Sequence, residues 1–382
     1  MITLDRANRI RAVFFLHAIA SGGFYSRISE IQQQLGANEL TLGLVFLGFP
    51  IGSILVFLFG SRVLEAVGTK RMLVLCISTL PLATAALAGI PTPILFFFAF
   101  LGYALFYSLP NMAMNIEADR VEASAERRVM NSCHGAWSIG YLIATLIGTL
   151  ATSLGLSPVM HMALLAIPLV PAALYVTLGI DAAAPRPHTA QVIRRLSLPT
   201  AAILLLVAFT IGPNMLEGSL RNWSVIYMRE SFGAPGWVDT LTLPVFLLAQ
   251  SIGRFSADRL VMRFGPVRVA RTLNIAAFAG CATVLVAPNL YVALLGFLLA
   301  GVGVCVSYPL TTSAAARIGD RPSSQNVASL TLSVQVMMLA APTALGWVAE
   351  NWGLRAIYAV ILPAIVLSQW LARYLTPKST TA

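Results

Sequence analysis

Apolar residues run along this chain in long stretches, separated by short joints of polar residues or glycine. A helix of about 20 predominantly apolar residues is enough to cross a hydrocarbon core roughly 30 Å thick. Stretches of that length are predicted over residues 10–35, 40–62, 71–91, 93–117, 129–153, 158–180, 198–228, 237–257, 267–287, 290–316, 324–349 and 353–375. Twelve such spans leave no room for a soluble domain. The pattern therefore predicts an all-α integral membrane protein with twelve transmembrane helices.

Composition agrees: 58% of the 382 residues are hydrophobic and only 10% are charged, where a soluble domain carries about 25%. The net charge of +10 would suit a nucleic-acid partner, but its placement argues against one. The N-terminus, the even-numbered loops with their helix edges, and the C-terminus hold all the Lys and Arg residues except Arg27, Arg221, Arg229 and Arg355. The positive-inside rule then places both termini in the cytoplasm. The alternation also supports the count, because one missed helix would scramble it. Cys76, Cys133, Cys281 and Cys305 fall within spans or at their edges, without paired spacing, and read as small packing residues. The first apolar segment carries Arg27 and Glu30 and lacks a small-residue cleavage site, so it reads as a retained helix.

The chain divides near its middle. Residues 1–180 and 198–382 each hold six predicted spans, and 181–197 form a polar linker on the cytoplasmic side. The second half repeats the first at an offset of about 190–200 residues. Gly253 to Gly265 answers Gly60 to Arg71, Ser307-Tyr308-Pro309 answers Ser108-Leu109-Pro110, and Phe232-Gly233-Ala234 echoes Leu35-Gly36-Ala37. In the second span, Gly48 and Gly52 stand one turn apart and permit close helix contact. Two six-helix repeats with cytoplasmic termini describe a rocker-type secondary transporter.

Several motifs resemble the major facilitator superfamily. Its loop between helices two and three combines a Gly, an acid–Arg pair, a further Gly and basic residues, and Gly253, Asp258, Arg259 and Gly265 match it. In the first half Glu65 is followed by Ala66, where Arg is usual. Within the superfamily the chain resembles the MosC-like branch. Glu217-Gly218 with Asn222-Trp223-Ser224, and Glu122, Arg127, His134, Gly135, Trp137, Ser138 and Gly140, carry that likeness. Asn222 stands where the branch usually has Asp. The resemblance covers essentially the whole chain. It implies a fold of two pseudo-symmetric six-helix bundles, a cavity lined by helices one, four, seven and ten, and transport of a small polar solute.

The seventh span holds the densest chemistry, Asn214 to Tyr227. An ionised side chain well inside the membrane costs roughly 2.5–3.5 kcal/mol on insertion scales, so Glu217 and Arg221 point to function. They share one helix face at i, i+4 and can partly neutralise each other. Glu217 lies about 28 Å along a helix that starts near Leu198, in the outer half of the membrane. It is the candidate protonation site, weighed against a static Glu217–Arg221 brace. His134, one turn inside helix five beside Trp137, is a second proton-coupling candidate, raised by the branch motif. Arg27 either snorkels to the outer interface or pairs locally with Glu30; because helix one lines the cavity in the superfamily, both are candidate solute contacts. Trp137 and Trp223 suit stacking on a sugar-like or cyclic solute. Asn111, Asn115, Asn214, Asn222, Tyr227 and Tyr308 complete the candidate contacts, while Gln250 and Gln335 suit interhelical hydrogen bonds equally well.

Glu65, Glu117, Glu122, Arg127, Asp258 and Arg259 cluster at the cytoplasmic helix ends and read as gating charges. A Walker-type phosphate loop, metal-ligand spacing and a nucleophile–base set are missing from the sequence, so direct use of ATP, a metal cofactor and enzymatic chemistry are not expected. No cofactor is expected. The expected partners are a small solute, protons and the lipid bilayer, and a monomer suffices. The function expected is proton-coupled secondary transport by alternating access; the alternatives are an exporter of amphiphilic compounds and a non-transporting sensor. The missing Gly-Pro pair in helix five leans towards uptake.

Overall fold

The computed structural model describes residues 4–124, 129–180, 198–233 and 236–376. The 181–197 linker and Arg127 lie outside these. Among the described residues the chain is helical, without strands.

The chain forms two compact units, Met1–Thr189 with Gly236–Thr240, and Ala190–Pro235 with Leu241–Ala382. The first holds α1 (Arg6–Ser26), α2 (Ile28–Leu35), α3 (Glu39–Phe46), α4 (Gly48–Val67), α5 (Thr69–Ala88), α6 (Pro93–Ser124), α7 (Met130–Ser153) and α8 (Pro158–Leu178). The second is built from α9 (Ala201–Phe232), then, after the four-residue α10 (Gly236–Asp239) that belongs with the first unit, α11 (Thr242–Phe264), α12 (Pro266–Val286), α13 (Leu290–Val304), α14 (Ser307–Ala316), α15 (Ser323–Leu339), α16 (Ala341–Trp352) and α17 (Leu354–Leu371). Joined end to end, α1–α2, α3–α4, α13–α14 and α15–α16 are broken rods, so each unit supplies six of the twelve membrane segments. Ten of the twelve are long and apolar enough to cross a membrane. The other two, 6–35 and 242–264, carry a denser polar load, including His17, Arg27 and Glu30 in one and Gln250, Arg254 and Arg259 in the other.

Helix ends follow local chemistry. Asp5, Asn38, Ser157, Thr200 and Asn289 stand before helices, and each side-chain oxygen accepts from a first-turn N–H that has no partner within its own helix. Glycines with positive φ follow the other ends, and they recur in pairs. Gly36 (φ 59°) matches Gly233 (φ 56°), Gly68 (86°) matches Gly265 (79°), and Gly155 (69°) matches Gly353 (82°). The spacing within each pair is about 197 residues. A side chain disfavours these torsions, so the repeat is written in the backbone where residue identity has otherwise drifted.

In the first unit α1 is the central rod, packed on α5, α6, α7 and α8. Gly48 and Gly52 let α4 lie directly on α6: a methyl group there would sit 2.5 Å from the Phe97 carbonyl oxygen and 2.6 Å from that of Leu101. In the second unit α9 takes the central place, against α11, α13, α14, α15, α16 and α17. A core cluster of that unit is apolar, with Leu206, Phe209, Leu310, Leu330 and Leu371 buried in it.

Candidate functional site

The central helix of each unit presents its polar residues differently. On α9, the apolar residues Phe209, Leu216, Leu220 and Ile226 are buried. Asn214, Glu217, Gly218, Arg221 and Asn222 recur at three- and four-residue spacing on the remaining side and are half-buried. Arg221 donates from Nη2 to Glu217 Oε1 at 3.2 Å. The Glu217 and Arg221 side chains are 24% and 29% exposed. That combination leaves the pair partly desolvated yet reachable by a proton or a small polar molecule. Trp223 and Tyr227, expected as solute contacts, are both fully buried inside the second unit. Their positions fall about opposite Asn214 on α9, and Tyr227 donates to the Val284 carbonyl at 2.7 Å and packs edge-on to Phe297 and Tyr358. Tyr308, at the start of α14, is exposed, and its hydroxyl lies 3.1 Å from that of Thr331.

In the first unit the arginine of the acid–base pair is buried and its acid is not. Arg27 occupies the break between α1 and α2, fully buried. It grips Glu30 through Nε (2.5 Å) and Nη2 (2.8 Å) and donates to the Leu156 carbonyl, tying α1 to the α7–α8 joint. The snorkelling alternative is therefore overturned, and a solute contact by Arg27 in this arrangement with it; the local pair with Glu30 is what forms. The Glu30 side chain keeps 35% exposure.

The accessible polar surface of the first unit lies on α6 and α7. Tyr107, Ser108, Asn111 and Asn115 form a half-buried stripe along α6. Ser108 faces Ser53 of α4 at 3.0 Å, and the Asn115 amide donates to the Asn111 carbonyl at 2.8 Å. Trp137 is half-buried, stacked on Tyr141 with ring centroids 5.1 Å apart and planes 20° apart. Its indole N–H donates to Nδ1 of His17 at 3.3 Å, while His17 Nε2 meets the Tyr107 carbonyl at 3.0 Å. His17 was not singled out from the sequence; its signal was a lone imidazole within the apolar run Phe14 to Ile19. His134 is exposed on α7, edge-on to Phe14 at 5.2 Å.

The gating candidates sort by neighbour. Buried Glu117 bonds Thr69 and Arg120, the latter at 2.7 Å, and so pins α6 to the start of α5. Glu122 accepts from the backbone N–H groups of Val129 (2.8 Å) and Met130 (3.1 Å), placing its charge at the positive end of α7. Glu65 and Arg259 are exposed near the ends of α4 and α11. Asp258 lies on α11, and its side chain is outside the described set.

Two bundles of six membrane segments, each around a polar-faced central helix, fit a membrane transport protein. The chain belongs to the Major Facilitator Superfamily, whose family model matches residues 12–244 and 207–382. It is 26% identical over 353 residues to an uncharacterised transporter of Sinorhizobium fredii, covering 92% of this chain and 93% of that one. Membrane protein MosC of Rhizobium meliloti is 22% identical over 363 residues, covering 93% and 86%. Among solved structures, the fold matches that of the nucleoside transporter NupG with TM-score 0.77 and 13% identity over 98% of this chain and all of that one. It matches the D-xylose-proton symporter with TM-score 0.74 and 15% identity over 98% and 99%. The protein is thus a multi-pass membrane transporter, and not an enzyme.

Proposed function

We propose that this protein is a proton-coupled secondary transporter of a small polar, ring-shaped solute, working by alternating access. The observation that carries the reading is the Glu217–Arg221 pair, charged, adjacent and partly exposed on the polar side of an otherwise apolar 32-residue helix. An acid held by a basic neighbour within a membrane-spanning helix is the kind of group that proton relays use. Arg221, Asn214 and Asn222 are the solute contacts on α9; Asn111, Asn115 and Trp137 are those of the first unit. His134 is a subsidiary proton site, and the exposed Glu65 and Arg259 act at the cytoplasmic ends. The neighbours described as nucleoside and D-xylose transporters support a polar cyclic solute, and the distribution of Lys and Arg supports an inner-membrane location with both termini cytoplasmic.

Thermal stabilisation of the purified protein by D-xylose, myo-inositol, uridine and lipophilic cations, at two pH values, selects the solute class. Uptake into liposomes under an imposed pH gradient then tests the coupling. Glu217→Gln is expected to abolish accumulation while leaving solute exchange partly intact. Equal accumulation by wild type and Glu217→Gln would remove Glu217 from the coupling role, and stabilisation mainly by lipophilic cations would turn the reading to export.

A further inference from the structure

The first unit holds one polar arrangement whose chemistry is fully determined by its partners. His17 is completely buried in α1. An indole N–H can only donate and a carbonyl can only accept. The bond from Trp137 therefore requires a bare Nδ1 on His17, and the Tyr107 carbonyl requires the proton on Nε2. His17 is a neutral imidazole in a single tautomer, and a second proton would set N–H against N–H.

This histidine fixes the edge of the Trp137 indole, while Tyr141 covers one of its faces. Tyr141 is itself seated by Gly22 of α1, where a methyl group would lie 3.0 Å from the Tyr141 ring and 2.9 Å from the Ala144 side chain. The His17 ring also leans on the Tyr107 ring, 4.4 Å away. From Tyr107 the half-buried stripe continues through Asn111 and Asn115, one turn of about 6 Å each. Through His17 the indole of α7 is thus tied to Tyr107, the first residue of this polar stripe of α6, and an aromatic plane beside a polar stripe suits a ring that has one apolar face and polar substituents at its rim. A ring held in one orientation before binding gives up less freedom when the solute arrives.

We propose that His17 is a positioning residue for solute recognition: it holds the Trp137 indole so that the face opposite Tyr141 stacks on the apolar ring face of a cyclic polyhydroxyl solute. The inference rests on Trp137 being a solute contact, as read above.

Two near-isosteric substitutions separate the bonds of His17. An Asn amide falls near the place of Nδ1 and can accept from the indole; a Gln amide reaches the place of Nε2 and keeps only the Tyr107 carbonyl. The first readout uses the solute-free protein labelled with 15N at the indole nitrogens, the Trp137 resonance being assigned by its loss in Trp137→Phe. That resonance is expected to move in His17→Gln and His17→Ala and to stay near its wild-type place in His17→Asn. An unmoved resonance in His17→Gln overturns the proposal without any solute. The second readout is the apparent affinity for whichever of D-xylose, myo-inositol and uridine binds the wild type. Loss of one neutral hydrogen bond corresponds to about fivefold, expected in His17→Gln and His17→Ala, with His17→Asn within about twofold of wild type and Trp137→Phe weakened at least as much as His17→Gln. A Gln variant, closer to His in bulk, that binds better than the Asn variant would show a packing role and overturn the positioning role. Unaltered binding by Trp137→Phe would instead remove Trp137 from the solute site, and the proposal would fall with that reading.

Discussion

The helices α1 and α9 hold the same place in their repeats, yet they handle their charges in opposite ways. Arg27 and Glu30 pair at the break and on α2, the continuation of α1, while Glu217 and Arg221 pair within α9. Measured back from the paired glycines Gly36 and Gly233, Glu30 stands six residues away and Glu217 sixteen, so Glu217 lies about 15 Å further along its helix. Arg27 is fully buried and uses Glu30 and a backbone carbonyl to clamp the α1–α2 break to the α7–α8 joint. Arg221 is partly exposed and touches Glu217 through a single 3.2 Å contact. The same two residue types thus tie a helix break to a distant joint in one unit and pair along one face of a continuous helix in the other. A repeat preserves the scaffold of helices and turns while leaving its polar positions free to diverge.

The difference should appear first in stability. Arg27→Ala leaves Glu30 without its guanidinium and the Leu156 carbonyl without its donor. Losing the charge-assisted bonds of a buried guanidinium to Glu30 and to the Leu156 carbonyl costs roughly 2–3 kcal/mol, so a marked fall in the melting temperature of the detergent-solubilised protein is expected. A melting curve matching that of Arg221→Ala would erase the distinction between the two pairs.

The shared scaffold should respond alike in both halves. Gly68 and Gly265 close equivalent helix–helix joints with φ near 80° and ψ of 143° and 157°, a region essentially reserved for glycine. Alanine at either position is expected to cost about 2 kcal/mol, by comparable shifts in melting temperature. A large effect at one and none at the other would mean that the two joints no longer do equivalent work.

The smallest stability effect belongs to the pair proposed for transport. Arg221→Ala removes one partly exposed ion pair, worth less than about 1 kcal/mol, and the melting temperature without solute should hardly move. The added stability conferred by a bound solute, in contrast, should disappear. Retained solute stabilisation in this variant would place recognition elsewhere on the stripe.

Much of this was legible in the chain. The twelve spans, the glycine-closed joints, the Gly48–Gly52 contact and the chemistry of Glu217 and Arg221 follow from local properties: length, hydropathy, backbone freedom and helical spacing. The seventh-span motif also contained Trp223 and Tyr227, which look as suited to a solute as Trp137. In the fold α9 turns these two into the second unit, where they are buried, while Asn214, Glu217 and Arg221 stay half-buried. Glu122 shows the same limit, since a residue expected to gate is found capping the start of α7.

The sequence by itself determined that this is a membrane transporter of two repeated bundles, because apolar content and the positions that demand glycine act over a few residues at a time. The tertiary structure alone decided which polar groups are fastened inside and which stay accessible. That choice depends on how each helix is rotated against partners drawn from distant segments. His17 makes the point: an unremarked imidazole becomes the keeper of Trp137 only once α1, α6 and α7 are packed together.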